Sequence, residues 1–205
     1  SLSKLNLENI INATDKSFIN NLKPVYKAIE KVKKEIKNKS LIGFVGAPWT
    51  LLLYMINGTS PKKNFDFNKI VKDKKLIKKL LIKLEKVICL HIKNQIDAGA
   101  NVIQIFDSWA GLLPKNELNY FCYEPTSNIV KFVKSQKIPV ICFPRGIKEN
   151  YFDYCNEVKP DCISIDYEID PMWVKKEIKD IVIQGGLDPK ILLQDEDLIK
   201  KEVSK

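Results

Sequence analysis

Five short runs of the chain are apolar at almost every position: residues 41–45, 102–106, 139–143, 162–166 and 181–184. Between them, apolar residues recur at helical spacing. The clearest case is 76–96, where Ile77, Leu80, Leu81, Leu84, Val87 and Ile88 share one face. An earlier helix carries the stripe Leu22, Val25, Ile29, Val32 and Ile36, with Lys27, Lys31 and Lys34 opposite. Apolar strands separated by helices predict an α/β protein with a parallel sheet covered on both faces. Gly99, in Asp97-Ala98-Gly99-Ala100, ends the long helix just before the next strand. A last helix is expected from Pro189. No linker rich in Gly, Ser or Pro divides the chain, so residues 1–205 read as one domain or part of one. "Part of one" fits better, because a (β/α)8 barrel typically takes about 250 residues and five strands are legible here. An open five-stranded sheet of flavodoxin type is the alternative from pattern alone.

The first two strands end in the most informative blocks. Leu41-Ile42-Gly43-Phe44-Val45 runs into Gly46-Ala47-Pro48, where proline removes a backbone donor and disfavours helix at the residue before it. A helical run carrying Trp49, Thr50 and Tyr54 follows. Gly43 and Gly46 imply that something approaches the strand backbone closely. A strand end feeding such a turn is where parallel α/β proteins hold ligands. In the second strand, alternation puts Gln104, Phe106 and Ser108 on one side and Ile103, Ile105 and Asp107 on the other. Ser108 reads as a substrate-facing hydroxyl or as a turn or cap serine, and Asp107 as a cap or a lysine partner. Arg145, at the third strand end, suits a carboxylate or a surface turn. Asp166, at the fourth, is a functional carboxylate or a structural acceptor. The Gly185-Gly186 turn could hold an anion; Asp188 also reads as a helix cap before Pro189.

Composition removes several function classes. At 45% hydrophobic content the chain supports a large core, and no apolar run is long enough to span a bilayer. The N-terminus lacks the layout of a signal peptide. The five cysteines are odd in number and form no C-x-x-C pair, so reduced thiols in a cytoplasmic protein are expected. The net charge of +9 comes from 34 basic residues of which one, Arg145, is arginine. Lysines along helix faces are a solvated surface rather than a nucleic-acid site, and neither nucleic acid nor membrane is expected as a partner. The single histidine, His91, continues the apolar face of the long helix, with Cys89 on its other side. No metal site and no histidine-based nucleophile machinery is expected.

Several blocks in order resemble the uroporphyrinogen decarboxylase family. They are Leu22-Lys23-Pro24-Val25-Tyr26-Lys27-Ala28-Ile29, Gly43-Phe44-Val45-Gly46-Ala47-Pro48-Trp49-Thr50 with Tyr54-Met55, Gln104-Ile105-Phe106-Asp107-Ser108-Trp109-Ala110-Gly111, and Gln184-Gly185-Gly186-Leu187-Asp188-Pro189. The last departs from the family, which has asparagine at the position of Gly186. The resemblance implies a TIM barrel, a homodimer, and no metal or organic cofactor. Its reaction would convert uroporphyrinogen III to coproporphyrinogen III by removing four acetate carboxyl groups. Carried over, Tyr54 and Ser108 would hydrogen-bond substrate carboxylates, while Phe44, Gly46 and Phe106 line the cleft. The family's pyrrole-binding aspartate and arginine-rich loop would precede this sequence, and its active-site histidine would follow it. The chain would therefore be part of one barrel domain, without its N- and C-terminal portions, carrying no catalytic residue and inactive alone. Rival readings are a methyltransferase on the same barrel, which would need a His/Cys zinc site, a phosphate-binding α/β barrel enzyme using Gly185-Gly186, and a folded scaffold without activity.

Overall fold

The computed structural model describes residues 10, 14–61 and 65–204. In chain order the elements are α1 (Asp15–Glu35), β1 (Ile42–Gly46), α2 (Pro48–Asn57), α3 (Phe67–Ile70), α4 (Lys74–Asp97), β2 (Val102–Asp107), α5 (Glu124–Ser135), β3 (Val140–Pro144), α6 (Tyr151–Val158), β4 (Cys162–Ile165), α7 (Pro171–Glu177), β5 (Val182–Gly185) and α8 (Glu196–Val203). Side-chain caps set several starts: Thr14 for α1, Asp73 for α4 and Asp195 for α8 each accept a first-turn N–H. A π-helical turn, Asn119–Tyr123, precedes α5 and relieves the backbone clash that Pro125 would make in a regular helix. The helix expected from Pro189 is a 3-10 turn, Pro189–Leu193, followed by α8, with Asp188 capping the turn through Lys190 N–H.

The five strands form one sheet, parallel throughout, in the order β1-β2-β3-β4-β5. A flavodoxin-type sheet would place its second strand outside its first, so strand order decides for barrel topology. The sheet is unclosed. Its faces differ: Val45, Ile103, Ile105, Val140, Cys142, Ile163 and Ile165 are buried under the helices. The other face carries Ile42, Phe44, Gln104, Phe106, Ile141, Phe143 and Ser164, and there Phe44 is 65% and Val182 66% exposed. The expectation of cover on both faces is corrected: helices cover one face, and the other is the inward face of a barrel wall.

Two sequence readings shift in register. The buried side of α1 runs through Leu22, Tyr26 and Ile29, whereas Val25 and Val32 are exposed. Tyr26, the buried residue of α1, places its hydroxyl 3.0 Å from His91 Nδ1 on α4. His91 accordingly sits half-buried between Phe18 and Tyr26, and the core stripe of α4 continues through Ile92 and Gln95 instead.

Gln95 explains Gly43. Its side-chain Oε1 accepts from Phe44 N–H at 3.1 Å and its Nε2 donates to Phe44 C=O at 3.0 Å. Leu41 and Ala47 bond β2, so Phe44's peptide groups face the outer edge of β1, and the buried carboxamide pairs with them as a neighbouring strand would. A Cβ on Gly43 would lie 2.7 Å from Gln95 Oε1. What approaches this strand at Gly43 is the protein itself, not a ligand.

Candidate active site

All five strands end at one side of the sheet, and their carboxyl ends bring Gly46, Ser108, Arg145, Asp166 and Gly185 to a common rim. At the β1 end the turn is locked to β2 by Ala47 N–H donating to Phe106 C=O at 2.8 Å. Pro48 occupies the first turn of α2, where its missing N–H costs nothing. A Cβ on Gly46 would meet Leu51 Cδ2 at 2.8 Å, so here too glycine makes room for a side chain of the chain itself.

Thr50 ties α2 to the end of β2. Its hydroxyl donates to Asp107 Oδ1 at 2.7 Å and accepts from Trp109 N–H at 3.2 Å. Trp49 Nε1–H donates to Trp109 C=O at 3.1 Å. The N-cap residue of α2 is Ala47, which has no capping side chain, and the Asp107 carboxylate supplies negative charge to that helix end from the neighbouring strand. Asp107 is 1% exposed, and burial pushes its carboxyl up to about 6, against hydrogen bonds from Thr50 and Cys122 that pull it down. Of the two sequence readings, the cap holds, on α2 through the Thr50 backbone and hydroxyl, and no lysine pairs with Asp107 among the described residues.

Ser108 follows Asp107, partly buried, and Tyr54 lies one turn beyond Thr50 on α2, 40% exposed. The Tyr54 ring meets Trp109 edge-on at 6.3 Å between centroids. Neither hydroxyl has a hydrogen-bond partner among the described residues. Inward from this rim, Phe44, Phe106 and Phe143 form an aromatic row, with adjacent centroids 6.1 and 6.3 Å apart. Below the row, Gln104 Nε2 donates to Ser164 Oγ at 3.4 Å. The five residues proposed from sequence thus share one strand-end region, with Gly46 contributing backbone.

The rest of the rim is built by backbone contacts. Arg145 N–H donates to Asp107 C=O at 3.1 Å, and Gly111 N–H donates to Arg145 C=O at 2.9 Å. The Arg145 side chain is exposed and forms no ion pair among the described residues. Asp166 is a structural acceptor: its Oδ2 takes Gly146 N–H at 2.6 Å and Tyr151 O–H at 2.8 Å. Gly185 and Gly186 both lie at positive φ, +88° and +91°, so the turn geometry itself accounts for the pair. No group of three or more metal-ligating side chains occurs among the described residues, and no described helix is long and apolar enough to cross a membrane.

Residues 3–205 match the family model described as uroporphyrinogen decarboxylase (URO-D). The chain belongs to the uroporphyrinogen decarboxylase family. It is 42% identical over 189 residues to a uroporphyrinogen decarboxylase of Rickettsia bellii (strain RML369-C), an alignment covering 90% of this chain and 55% of that protein. Against the uroporphyrinogen decarboxylase of Orientia tsutsugamushi (strain Boryong) it is 41% identical over 204 residues, covering 95% of this chain and 59% of the relative. The chain therefore spans little more than half the length of these relatives. Family membership agrees with the parallel strand order and one-sided helical cover.

The sequence reading missed the Thr50–Asp107–Trp109 linkage. Thr50 and Asp107 are 57 residues apart, and nothing in either local pattern pairs them. Only the Ala at the α2 N-cap, a position that normally wants a side-chain oxygen, pointed to a partner elsewhere.

Proposed function

We propose that this chain is part of a uroporphyrinogen decarboxylase, forming the substrate-binding wall of one (β/α)8 barrel domain. The enzyme would remove the carboxyl groups of the four acetate side chains of uroporphyrinogen III to give coproporphyrinogen III, without a metal or organic cofactor. The observation that carries this reading is the pair of unpartnered hydroxyls, Tyr54 and Ser108, at the strand-end rim above the Phe44–Phe106–Phe143 row. An apolar platform bounded by hydrogen-bond donors suits a tetrapyrrole of four pyrrole rings joined by saturated carbons, whose edge carries carboxylates.

Protonating a pyrrole carbon makes the ring its own electron sink, so the bond to carbon dioxide breaks with its electron pair entering the ring. What the protein must supply is orientation and preorganised polarity. Here the aromatic row would take one face of the macrocycle, while Tyr54 O–H and Ser108 O–H donate to substrate carboxylates. The aspartate, arginines and histidine that the family uses would come from sequence outside these residues. A homodimer and a cytoplasmic location belong to the same proposal. In the intact enzyme, Tyr54→Phe and Ser108→Ala each remove one hydrogen bond to a charged group, worth roughly 1.5–3 kcal/mol. Each should lower kcat/KM about ten- to a hundredfold with uroporphyrinogen as substrate. Full efficiency in both variants across all four acetates, or loss that tracks only unfolding, would remove these two residues from the site.

A further inference from the structure

We propose that Thr50 and Asp107 are positioning residues that hold the Ser108 and Tyr54 hydroxyls at a fixed separation. The inference rests on the reading above that these hydroxyls bind substrate carboxylates. One side-chain oxygen, Thr50 Oγ1, engages both neighbours of Ser108: it donates to the Asp107 carboxylate at 2.7 Å and accepts from Trp109 N–H at 3.2 Å. Ser108 is thus held on either side by a single residue of α2. Tyr54 lies four residues further along the same helix, on the same face as Thr50, and its ring touches that of Trp109. The C=O of Trp109 is held as well, by Trp49 Nε1–H at 3.1 Å.

Attachment of α2 to the core does not require this polar pair. Trp49, Leu52 and Leu53 of the same helix are fully or almost fully buried and anchor it by apolar contact. A valine in place of Thr50 would fill the same volume. What the hydroxyl adds is direction. It ties the helix carrying one candidate donor to the strand end carrying the other, in a place where apolar contacts alone would let the segment turn. The opposite side of the same segment is held by β3, through Arg145 N–H to Asp107 C=O and Gly111 N–H to Arg145 C=O.

The test uses the intact enzyme with Thr50→Val, Thr50→Ser, Ser108→Ala and the Thr50→Val/Ser108→Ala double variant. Two readouts are taken: kcat and KM with uroporphyrinogen, and amide hydrogen exchange over residues 106–112 without substrate. Thr50→Val should speed exchange at Trp109 and lower kcat/KM about tenfold, mainly through KM. Thr50→Ser, which keeps the hydroxyl, should restore both. In the Ser108→Ala background, Thr50→Val should cost much less than it does alone, because the group it positions is gone. Unchanged exchange in Thr50→Val overturns the proposal, as do losses that simply multiply in the double variant. Full kcat/KM in Ser108→Ala overturns the binding reading itself. That failure is separable because exchange at Trp109 reports the tie without substrate.

Discussion

At the scale of single residues, Asp107 shows how burial and polarity compete. Its carboxyl goes from an ordinary value of 3.8 up to about 6 because burial outweighs the hydrogen bonds it accepts. The folded protein then holds a proton between about pH 4 and 6 that the unfolded chain has released, so this group favours folding at the acid end of that window. Its contribution is lost as pH rises through about 6. We predict that Asp107→Asn, which keeps an oxygen for Thr50 to bond, removes that slope. Urea midpoints at pH 4 and pH 7 should show the variant gaining on the parent by about 2–3 kcal/mol at the higher pH. An identical pH dependence in both proteins would mean that Asp107 titrates as an exposed carboxylate. Gln95 offers a second case, since it is 2% exposed and its carboxamide meets both peptide groups of Phe44. Gln95→Leu should lower stability by about 1–3 kcal/mol by leaving those groups unpaired, read as a shift in unfolding midpoint at constant m.

At the scale of elements, the loops after β2 and β3 meet backbone to backbone. A Cβ on Gly111 would lie 2.5 Å from Gly146 O, a backbone atom that cannot swing aside. Gly146 is itself held by the Asp166 carboxylate and has φ of +82°. The loops after β2, β3 and β4 therefore form one unit, with Asp166 and Tyr151 at its far end. Gly111→Ala is predicted to force the two loops apart, costing about 1–3 kcal/mol and lowering kcat/KM of the intact enzyme through misplacement of Ser108. Because Ser108 makes no hydrogen bond of its own within the described residues, Ser108→Ala should leave the unfolding midpoint nearly unchanged. Parallel denaturation and kinetic measurements on the two variants separate a loop that shapes the rim from a hydroxyl proposed to meet substrate alone.

For the whole molecule, the one-sided cover of the sheet matters most. Ile42, Phe44 and Val182 are exposed on the inward face, and β1 and β5 each pair on one side only. Gln95 occupies part of the β1 edge, but β5 has no comparable device among the described residues. Unpaired strand edges and exposed apolar surface favour association. The 205-residue chain by itself is expected to self-associate with rising concentration and to bind an apolar dye, both checked by sedimentation velocity and fluorescence titration. A monodisperse, dye-silent monomer would contradict this. The same chain by itself is expected not to decarboxylate uroporphyrinogen at a rate comparable with an intact enzyme, measured as coproporphyrinogen formed.

Local rules were enough for the elements. Mostly apolar runs marked all five strands to within a residue or two, and the period of Ile77, Leu80, Leu81, Leu84 and Ile88 marked α4, because burial of one face repeats with the geometry of the backbone. Motif order along the chain was likewise legible, and with it the family and the candidate rim residues. Tertiary structure decided whatever depends on partners far apart in sequence. Alternation put Asp107 on the side of its strand shared by Ile103 and Ile105, but Thr50, 57 residues away, decided what it does there. Periodicity put Val25 on the apolar stripe of α1, but the face that meets α4 is the one carrying Tyr26, whose hydroxyl pairs with His91, 65 residues on. Gly43 signalled a close approach, and the fold showed that Gln95 makes it. A sequence pattern records which side of an element is buried, whereas a hydrogen bond between elements depends on the distance and angle at which they finally meet.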